Sequence, residues 1–229
     1  MLIYKILKKI LQWKKNKLLK NNFKIAPSII CNNCIGGIIY SDMKLKFNSP
    51  TINLFFFAPD YIKFVENLIF YFTQNLVFSF KSKYYQSDVK YPVGILHDIE
   101  IHFLHYSSFQ ECELNWYKRI GRIDYKNVFI IGSDRDFCTE EIRIRFAKLP
   151  FKNKVFFSSK PQNFSHEIFF DEYLHTESVG DLIADDKGWY FYFDVKYWFS
   201  TGKIRKRKLW KLLFKCFRNI KKINKTNIF

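Results

Sequence analysis

The stretch VFIIGSDRDFCTEEIRIRFAKLPFKNKVFF, residues 128–157, decides the fold. Val128 to Ile131 is an unbroken apolar run, the pattern of a strand buried on both faces. Gly132-Ser133-Asp134-Arg135-Asp136 ends it. The spacing predicts a helix from about Thr139 to Ala147, with Glu140 and Glu141 in the first turn, where the helix dipole favours acids, and Pro150 as the stop. Val155 to Phe157 is the next strand. A strand, a helix and a strand in this order form a parallel pair through a helical crossover.

The same alternation continues upstream. Ile25 to Ile30 reads as a strand broken by Cys31-Asn32-Asn33-Cys34, after which Gly36-Gly37 opens a helix through Tyr40 and Met43. DYIKFVENLIFYFTQ, after Pro59, spaces Ile62, Val65, Ile69 and Phe72 as a helix does, and Leu76 to Phe80 alternates as a strand. Asp98 to Tyr106 alternates strictly, placing His102 and His105 on opposite faces, and SSFQECELNWYKRIGRI follows as a helix capped by Ser107 or Ser108. Beyond Lys160 the pattern fades into an aromatic run, GWYFYFDVKYWFS, read as a strand or hairpin. The expected fold is α/β, a mainly parallel sheet with flanking helices, plus basic amphipathic terminal helices.

Charge divides the chain into 1–24, 25–200 and 201–229. Residues 1–24 carry eight lysines and no acid, residues 203–229 carry eleven Lys or Arg and no acid, and the remainder holds 19 basic residues against 21 acids. The whole +17 therefore belongs to the ends. In the first segment Leu2, Ile6, Ile10 and Trp13 form an apolar stripe; in the last, Ile204, Leu209, Trp210, Leu212, Leu213, Phe214 and Phe217 lie among basic residues. Basic amphipathic ends match an anionic membrane surface and argue against nucleic acid, whose readers place basic residues on the folded recognition face. No window approaches the roughly 18–20 apolar residues of a membrane span, and the N-terminal segment lacks a signal peptide's continuous apolar core. Five scattered cysteines in a chain of 229 residues indicate a reducing compartment. The expected location is cytoplasmic, peripheral on the inner membrane face.

In open parallel sheets, ligands bind beyond the carboxyl ends of the strands. Three such ends are polar. In CNNCIGG, Asn32 and Asn33 supply amide donors and acceptors, and Gly36 and Gly37 permit close backbone approach or anion binding at a helix start; a plain turn into a helix is the alternative. Its CxxC, Cys31 and Cys34, suggests a redox pair or zinc, but no second CxxC exists and the two histidines diverge, so buried or loop cysteines are the default. In Ser133-Asp134-Arg135-Asp136, two carboxylates one residue apart can share a divalent metal against a diphosphate, and Arg135 can clamp a phosphate; a capping turn is the alternative. His105-Tyr106-Ser107-Ser108 places a histidine, the usual general base near neutral pH, where a strand ends.

The segments SIICNNCIGGIIY, FNSPTINLFFFAPDYIKFVENL, YPVGILHDIEIHFLHYSSF, NVFIIGSDRDFCTEEIRIRF and LPFKNKVFFSSK, in this order, resemble the bacterial domain-of-unknown-function family nineteen-nineteen, whose members are often labelled exopolysaccharide biosynthesis proteins. The resemblance spans about Ile25 to Lys160, leaving the basic ends outside. It implies Asn32, Asn33, Gly36, Gly37, Asn48, Ser49, Pro50, His105, Tyr106, Asp134, Arg135 and Asp136 as site positions, while Ile35 stands where the family often has an aromatic residue. It also implies a place in capsule, exopolysaccharide or O-antigen assembly. The expectation is a membrane-surface transferase acting on a glycan or lipid-linked glycan by glycosyl or acyl transfer. Asn32, Asn33, Gly36, Gly37, Asn48, Ser49, Tyr106 and Arg135 would bind substrate or an activated donor such as a nucleotide sugar, with His105, Asp134 and Asp136 catalytic. The alternative is a non-catalytic assembly factor or glycan-binding module.

Overall fold

A computed structural model describes residues 2–20, 23, 25–182, 188–207, 210, 212–217 and 219. The chain forms two compact units, one of residues 24–180 and one made by both ends, residues 1–23 and 181–229.

The larger unit is built on a four-stranded parallel sheet and a three-stranded antiparallel sheet. The parallel sheet has the order β1-β5-β6-β7, from β1 (Ser28–Cys31), β5 (Val128–Ser133), β6 (Lys154–Ser158) and β7 (Glu167–Phe169). Helix α6 (Glu140–Lys148) supplies the expected crossover from β5 to β6, and Thr139 caps it by accepting from Ile142 N. The strand placed at Ile25–Ile30 lies at Ser28–Cys31, because its register pairs Ser28 to Cys31 with Val128 to Ile131. Tyr40 Oη accepts from Ile29 N and Thr51 Oγ1 accepts from Cys31 N, so side chains satisfy the amides of this edge strand and block further strand pairing.

The Asp98–Tyr106 reading requires correction. His97 turns with φ 59°, so β3 (Val93–Leu96) and β4 (Ile99–His102) form a hairpin, with β2 (Leu76–Ser79) on its other edge. The alternation seen there is that of an antiparallel strand, and β4 ends at His102 rather than carrying on to His105. Helices α2 (Ile35–Asp42), α3 (Ala58–Glu66), α4 (Leu68–Thr73) and α5 (Phe109–Ile120) complete the unit. The helix expected after Pro59 is two, broken at Asn67 with φ −134° and ψ 46°. Ser108 caps α5 by accepting from Glu111 N. One apolar core joins the two sheets, with Ile30, Ile130 and Phe156 on the parallel side, Leu96, Ile99 and Ile101 on the antiparallel side, and Phe56, Phe64 and Trp116 among them. Each such side chain contributes about 1.5–3 kcal/mol by leaving water.

In the smaller unit the basic N-terminal segment is helical, α1 (Leu2–Leu19). The aromatic run expected as a strand is a short helical turn at Gly188–Phe191 followed by α7 (Val195–Thr201). Asp194 caps α7 by accepting from Tyr197 N, and Gly202 closes it in the left-handed region at φ 70°, which glycine adopts without penalty. Leu11, Leu19, Phe214 and Phe217 are buried. Lys14 Nζ lies 4.1 Å from the centre of the Trp210 ring. Leu209, part of the expected C-terminal stripe, lies outside the described residues.

The buried carboxylate of Asp134 closes the carboxyl end of the parallel sheet. It accepts from Ser159 N and Ser159 Oγ at 2.7 Å each, from Val179 N at 2.7 Å and from Arg143 Nη2 at 3.1 Å. Removing one partner of a buried, charged network leaves the others uncompensated. Asp134→Ala is expected to cost about 3–5 kcal/mol in urea unfolding, and a loss near zero would show that the network adds nothing.

Candidate functional site

A four-residue belt, Phe55 to Ala58, crosses the carboxyl ends of β1 and β5. Phe55 pairs with His102 through two backbone bonds of 3.0 and 2.8 Å, Phe56 N donates to Asn32 O at 2.9 Å, and Ala58 N donates to Asp136 O at 2.9 Å. Extended backbone alternates its side chains, so Phe56 enters the core and stacks on Phe64 at 5.0 Å while Phe55 and Phe57 stand on the other side, 5.0 Å apart.

Phe57 collects an aromatic wall. Tyr84 stacks on it at 4.0 Å, Phe137 at 5.3 Å, and Tyr84 and Phe137 lie within 16° of parallel. His102, fully buried, sits edge-on to Phe55, Phe57, Tyr85 and Tyr91. Its Nδ1 is 3.3 Å from Tyr91 Oη, and its Nε2 makes no hydrogen bond, the nearest carboxylate oxygen, Glu100 Oε2, being 3.6 Å away. Burial lowers its pKa to about 4, so the imidazole is neutral at neutral pH. Below the wall, Asp60 and Glu100 are buried; Asp60 pairs with Lys83 Nζ at 2.7 Å and accepts from Glu100 N at 2.9 Å.

The turn after β5 is strained. Asp136 and Phe137 have φ of 62° and 66°, two consecutive non-glycine residues in the left-handed region, and such conformations cost about 1–3 kcal/mol each. The turn drives Phe137 outward, 63% exposed, against Phe57 and Tyr84. It also leaves Asp136 Oδ2 buried without a hydrogen bond, 3.7 Å from Arg135 Nε. Burial raises the Asp136 pKa, opposed by Arg135. A buried acceptor without a hydrogen bond on a strained backbone makes Asp136 a candidate site residue.

The other residues singled out in the sequence divide sharply. Asp134 and Asp136 face different surroundings: Asp134 accepts from four donors, three on Oδ2 and one on Oδ1, and is buried within the framework. Among the described residues no group of three His, Cys, Asp or Glu is placed to hold a metal ion. Asn32 is buried and donates to Ser133 Oγ at 3.1 Å, tying β1 to β5. Asn33 Oδ1 accepts from Ile35 N at 3.0 Å and so caps the start of α2. Gly36 and Gly37 serve close packing: a Cβ on Gly36 would sit 3.2 Å from Cys31 Cβ, and one on Gly37 2.6 Å from Asn53 Oδ1. Asn48 donates to Ala26 O at 3.0 Å, and Ser49 accepts from Thr51 N at 3.2 Å. Tyr106 accepts from Arg119 Nη1 at 2.6 Å. Arg135 and Asp136 are part-buried, and His105 is exposed.

Although β4 belongs to the antiparallel sheet, His105 does meet the loop after β1, with Nε2 3.4 Å from Cys34 Sγ. The CxxC is split: Cys31 ends β1, fully enclosed, with its thiol pushed up to about 12 by burial, whereas Cys34 is half-buried at the start of α2. Sequence reasoning weighed Cys34 only as half of a CxxC, and it missed Phe57, Tyr84 and Phe137. Aromatic residues are so frequent in this chain that single ones carried no signal; only YYQSDVKY, aromatic residues inside a polar loop, marks a wall rather than a core.

The buried histidine makes stability depend on pH. His102 has a folded pKa of about 4 against an ordinary 6.5, so between these values the unfolded chain binds more protons and stability falls as pH falls. The contribution is complete above pH 6.5 and is lost toward pH 4 with a slope of up to about 1.4 kcal/mol per pH unit. His166, similarly lowered to about 4, adds to the same limb. His102→Gln is expected to flatten this limb in urea unfolding from pH 7 to 4, and an unchanged slope would exclude a buried neutral imidazole.

A model of the domain of unknown function DUF1919 matches residues 3–200. The match begins inside α1, so the N-terminal helix falls within the family segment, beyond the Ile25–Lys160 span of the quoted motifs. An uncharacterized protein of Haemophilus influenzae is 38% identical over 178 residues, covering 76% of this chain and 84% of that protein. With its motifs, and with the family match running from the first turn of α1 to the end of α7, this chain belongs to the DUF1919 family.

Proposed function

We propose that this protein binds a glycan and modifies it as a transferase at a membrane surface, within bacterial surface polysaccharide assembly. The observation that carries this reading is the strained Asp136-Phe137 turn, which places a carboxylate oxygen that makes no hydrogen bond beside the exposed Phe137 ring. A sugar ring presents an apolar C–H face and a rim of hydroxyls. Flat aromatic rings accept the first, and a carboxylate and a guanidinium bind the second by charge-assisted hydrogen bonds. Phe137 and the part-buried Tyr84 provide the rings, backed by the buried Phe57; Asp136 and Arg135 provide the charges. Few polar groups on an aromatic wall is the usual composition of a small-molecule site.

Asp136→Asn is expected to weaken binding of an acidic or neutral polysaccharide fragment by about 1.5–3 kcal/mol, the value of hydrogen bonds to charged groups. Phe137→Gly should abolish binding yet leave stability within about 1 kcal/mol of wild type, because relieved strain offsets added chain freedom. Calorimetry with a glycan panel, alongside urea unfolding, measures both. Binding unaffected by either change would remove the wall from the site; binding without turnover on any donor would make the protein a glycan-binding module.

The membrane reading is supported by α1. Leu11 and Leu19 face inward, while Ile6, Ile10 and Trp13 remain 49, 43 and 59% exposed on a second apolar stripe beside Lys5, Lys9 and Lys17. Exposed apolar residues set among lysines fit the boundary of an anionic bilayer, where each lysine contributes about 1 kcal/mol. Among the described residues no helix is long and apolar enough to cross a membrane. Ile10→Glu with Trp13→Glu is expected to release the protein from anionic vesicles in flotation, as raised salt should. Equal recovery with neutral vesicles would reject the surface reading.

A further inference from the structure

We infer that Cys34 and His105 form a nucleophile and base pair that carries an acyl group from an activated ester or thioester to a hydroxyl of the bound glycan. The inference rests on the glycan reading and supplies its reaction.

The two residues are 71 positions apart in sequence, yet Cys34 Sγ and His105 Nε2 stand 3.4 Å apart. Each is positioned by a separate element. Cys34 occupies the cap position of α2 without a side-chain capping bond of its own. Asn33 does that work, accepting from Ile35 N. His105 follows β4 by three residues and is exposed. Cys31 and Cys112 differ in being buried. A thiol at a helix start beside an imidazole is the arrangement that activates sulfur for attack, since the helix dipole favours negative charge there and the imidazole takes the proton. Redox pairing with Cys31 does not fit, because Cys31 is enclosed and points its thiol to Asn33 Oδ1 at 3.5 Å. Zinc does not fit either, since among the described residues no third ligand joins them.

The pair lies at one end of the aromatic belt. Asn32, whose carbonyl accepts from Phe56 N, directly precedes the Cys34 loop, and His102, paired with Phe55, precedes His105. Asp136 is bonded to the belt's other end at Ala58. Three residue steps of extended chain span about 10 Å, the scale of one or two sugar rings, so a ring held by Phe137 and Asp136 can present a hydroxyl to a group on Cys34.

His105 Nε2 takes the Cys34 thiol proton, the sulfur attacks the acyl carbon, and the bond to the donor's oxygen or sulfur breaks. His105 returns the proton to that leaving group, leaving a thioester on Cys34. A glycan hydroxyl then gives its proton to His105 and attacks the thioester carbon, releasing the ester product and the thiolate, which takes the proton back. No electrons are gained or lost, and the acyl donor is the sole co-reactant.

The test uses the full-length protein and two small probes. With iodoacetamide at pH 7, Cys34 is expected to be alkylated about tenfold faster than the exposed Cys216 of the same chain, and His105→Gln should erase the excess. With p-nitrophenyl acetate, peptide mass spectrometry after acid quench should find acetyl on Cys34 in wild type and not in His105→Gln. The pH profile of alkylation should also shift in that variant, which a structural contact would not produce. Cys34 labelled no faster than Cys216, or an acetyl yield unchanged by His105→Gln, overturns the pair. Asp136→Asn separates the two readings, because neither probe needs a sugar. Glycan binding lost in Asp136→Asn with no acylation of Cys34 in wild type sinks the pair alone. Acylated Cys34 with no glycan bound by wild type sinks the glycan acceptor and with it the proposed transfer.

Discussion

The larger unit depends on how one buried carboxylate is satisfied. Asp134 follows β5 directly, and its oxygens collect Ser159 from the end of β6, Arg143 from α6 and Val179 from far down the chain. Unpaired, a carboxylate there would cost several kcal/mol, so the end of β6, the crossover helix and the segment at Val179 must all arrive for it to be tolerated. The requirement sets where β5 stops, and the chain turns away from Asp134 into the strained residues that follow. The site therefore begins where the keystone ends.

Beside that turn, the Phe55–Ala58 belt does for the site what a strand would do for a sheet. Its backbone links His102 of the antiparallel sheet to Asn32 and Asp136 at the ends of the parallel strands. Two sheets that share no strand are thereby joined at the level where ligands bind in α/β folds. The arrangement explains how His105 reaches Cys34 even though β4 is absent from the parallel sheet. It also explains why the wall is aromatic: one side of the belt must fill the core and the other is left to face Tyr84 and Phe137.

The two compact units have different physical logic. Residues 24–180 bury an apolar core between sheets and helices. The terminal unit instead combines aromatic residues with cations, as where Lys14 lies over Trp210 and Arg205 pairs with Asp194, and keeps part of its apolar surface on α1 exposed. An excess of positive charge at both ends is costly within one small unit unless an acid such as Asp194 or an external anionic surface offsets it.

Local pattern was sufficient for what depends on neighbours in sequence. The β5-α6-β6 crossover, a serine cap on α5 at Ser107 or Ser108, the α1 helix and the polar character of the turn after β5 were all legible, because apolar periodicity, capping side chains and first-turn acids act over a few residues. Strand partners were not legible. Alternation in Ile99–His102 is the same whether its neighbour is parallel or antiparallel, so only the His97 turn and the register to β3 placed it in the second sheet. Nor could the sequence assign work to the two acids of Asp134-Arg135-Asp136: they are two residues apart, yet one accepts four hydrogen bonds and the other keeps an oxygen that accepts none, a difference made by Arg143, Ser159 and Val179 arriving from elsewhere. The Cys34 and His105 contact has the same origin, since a distance of 3.4 Å across 71 residues is set by packing and by nothing in the intervening sequence.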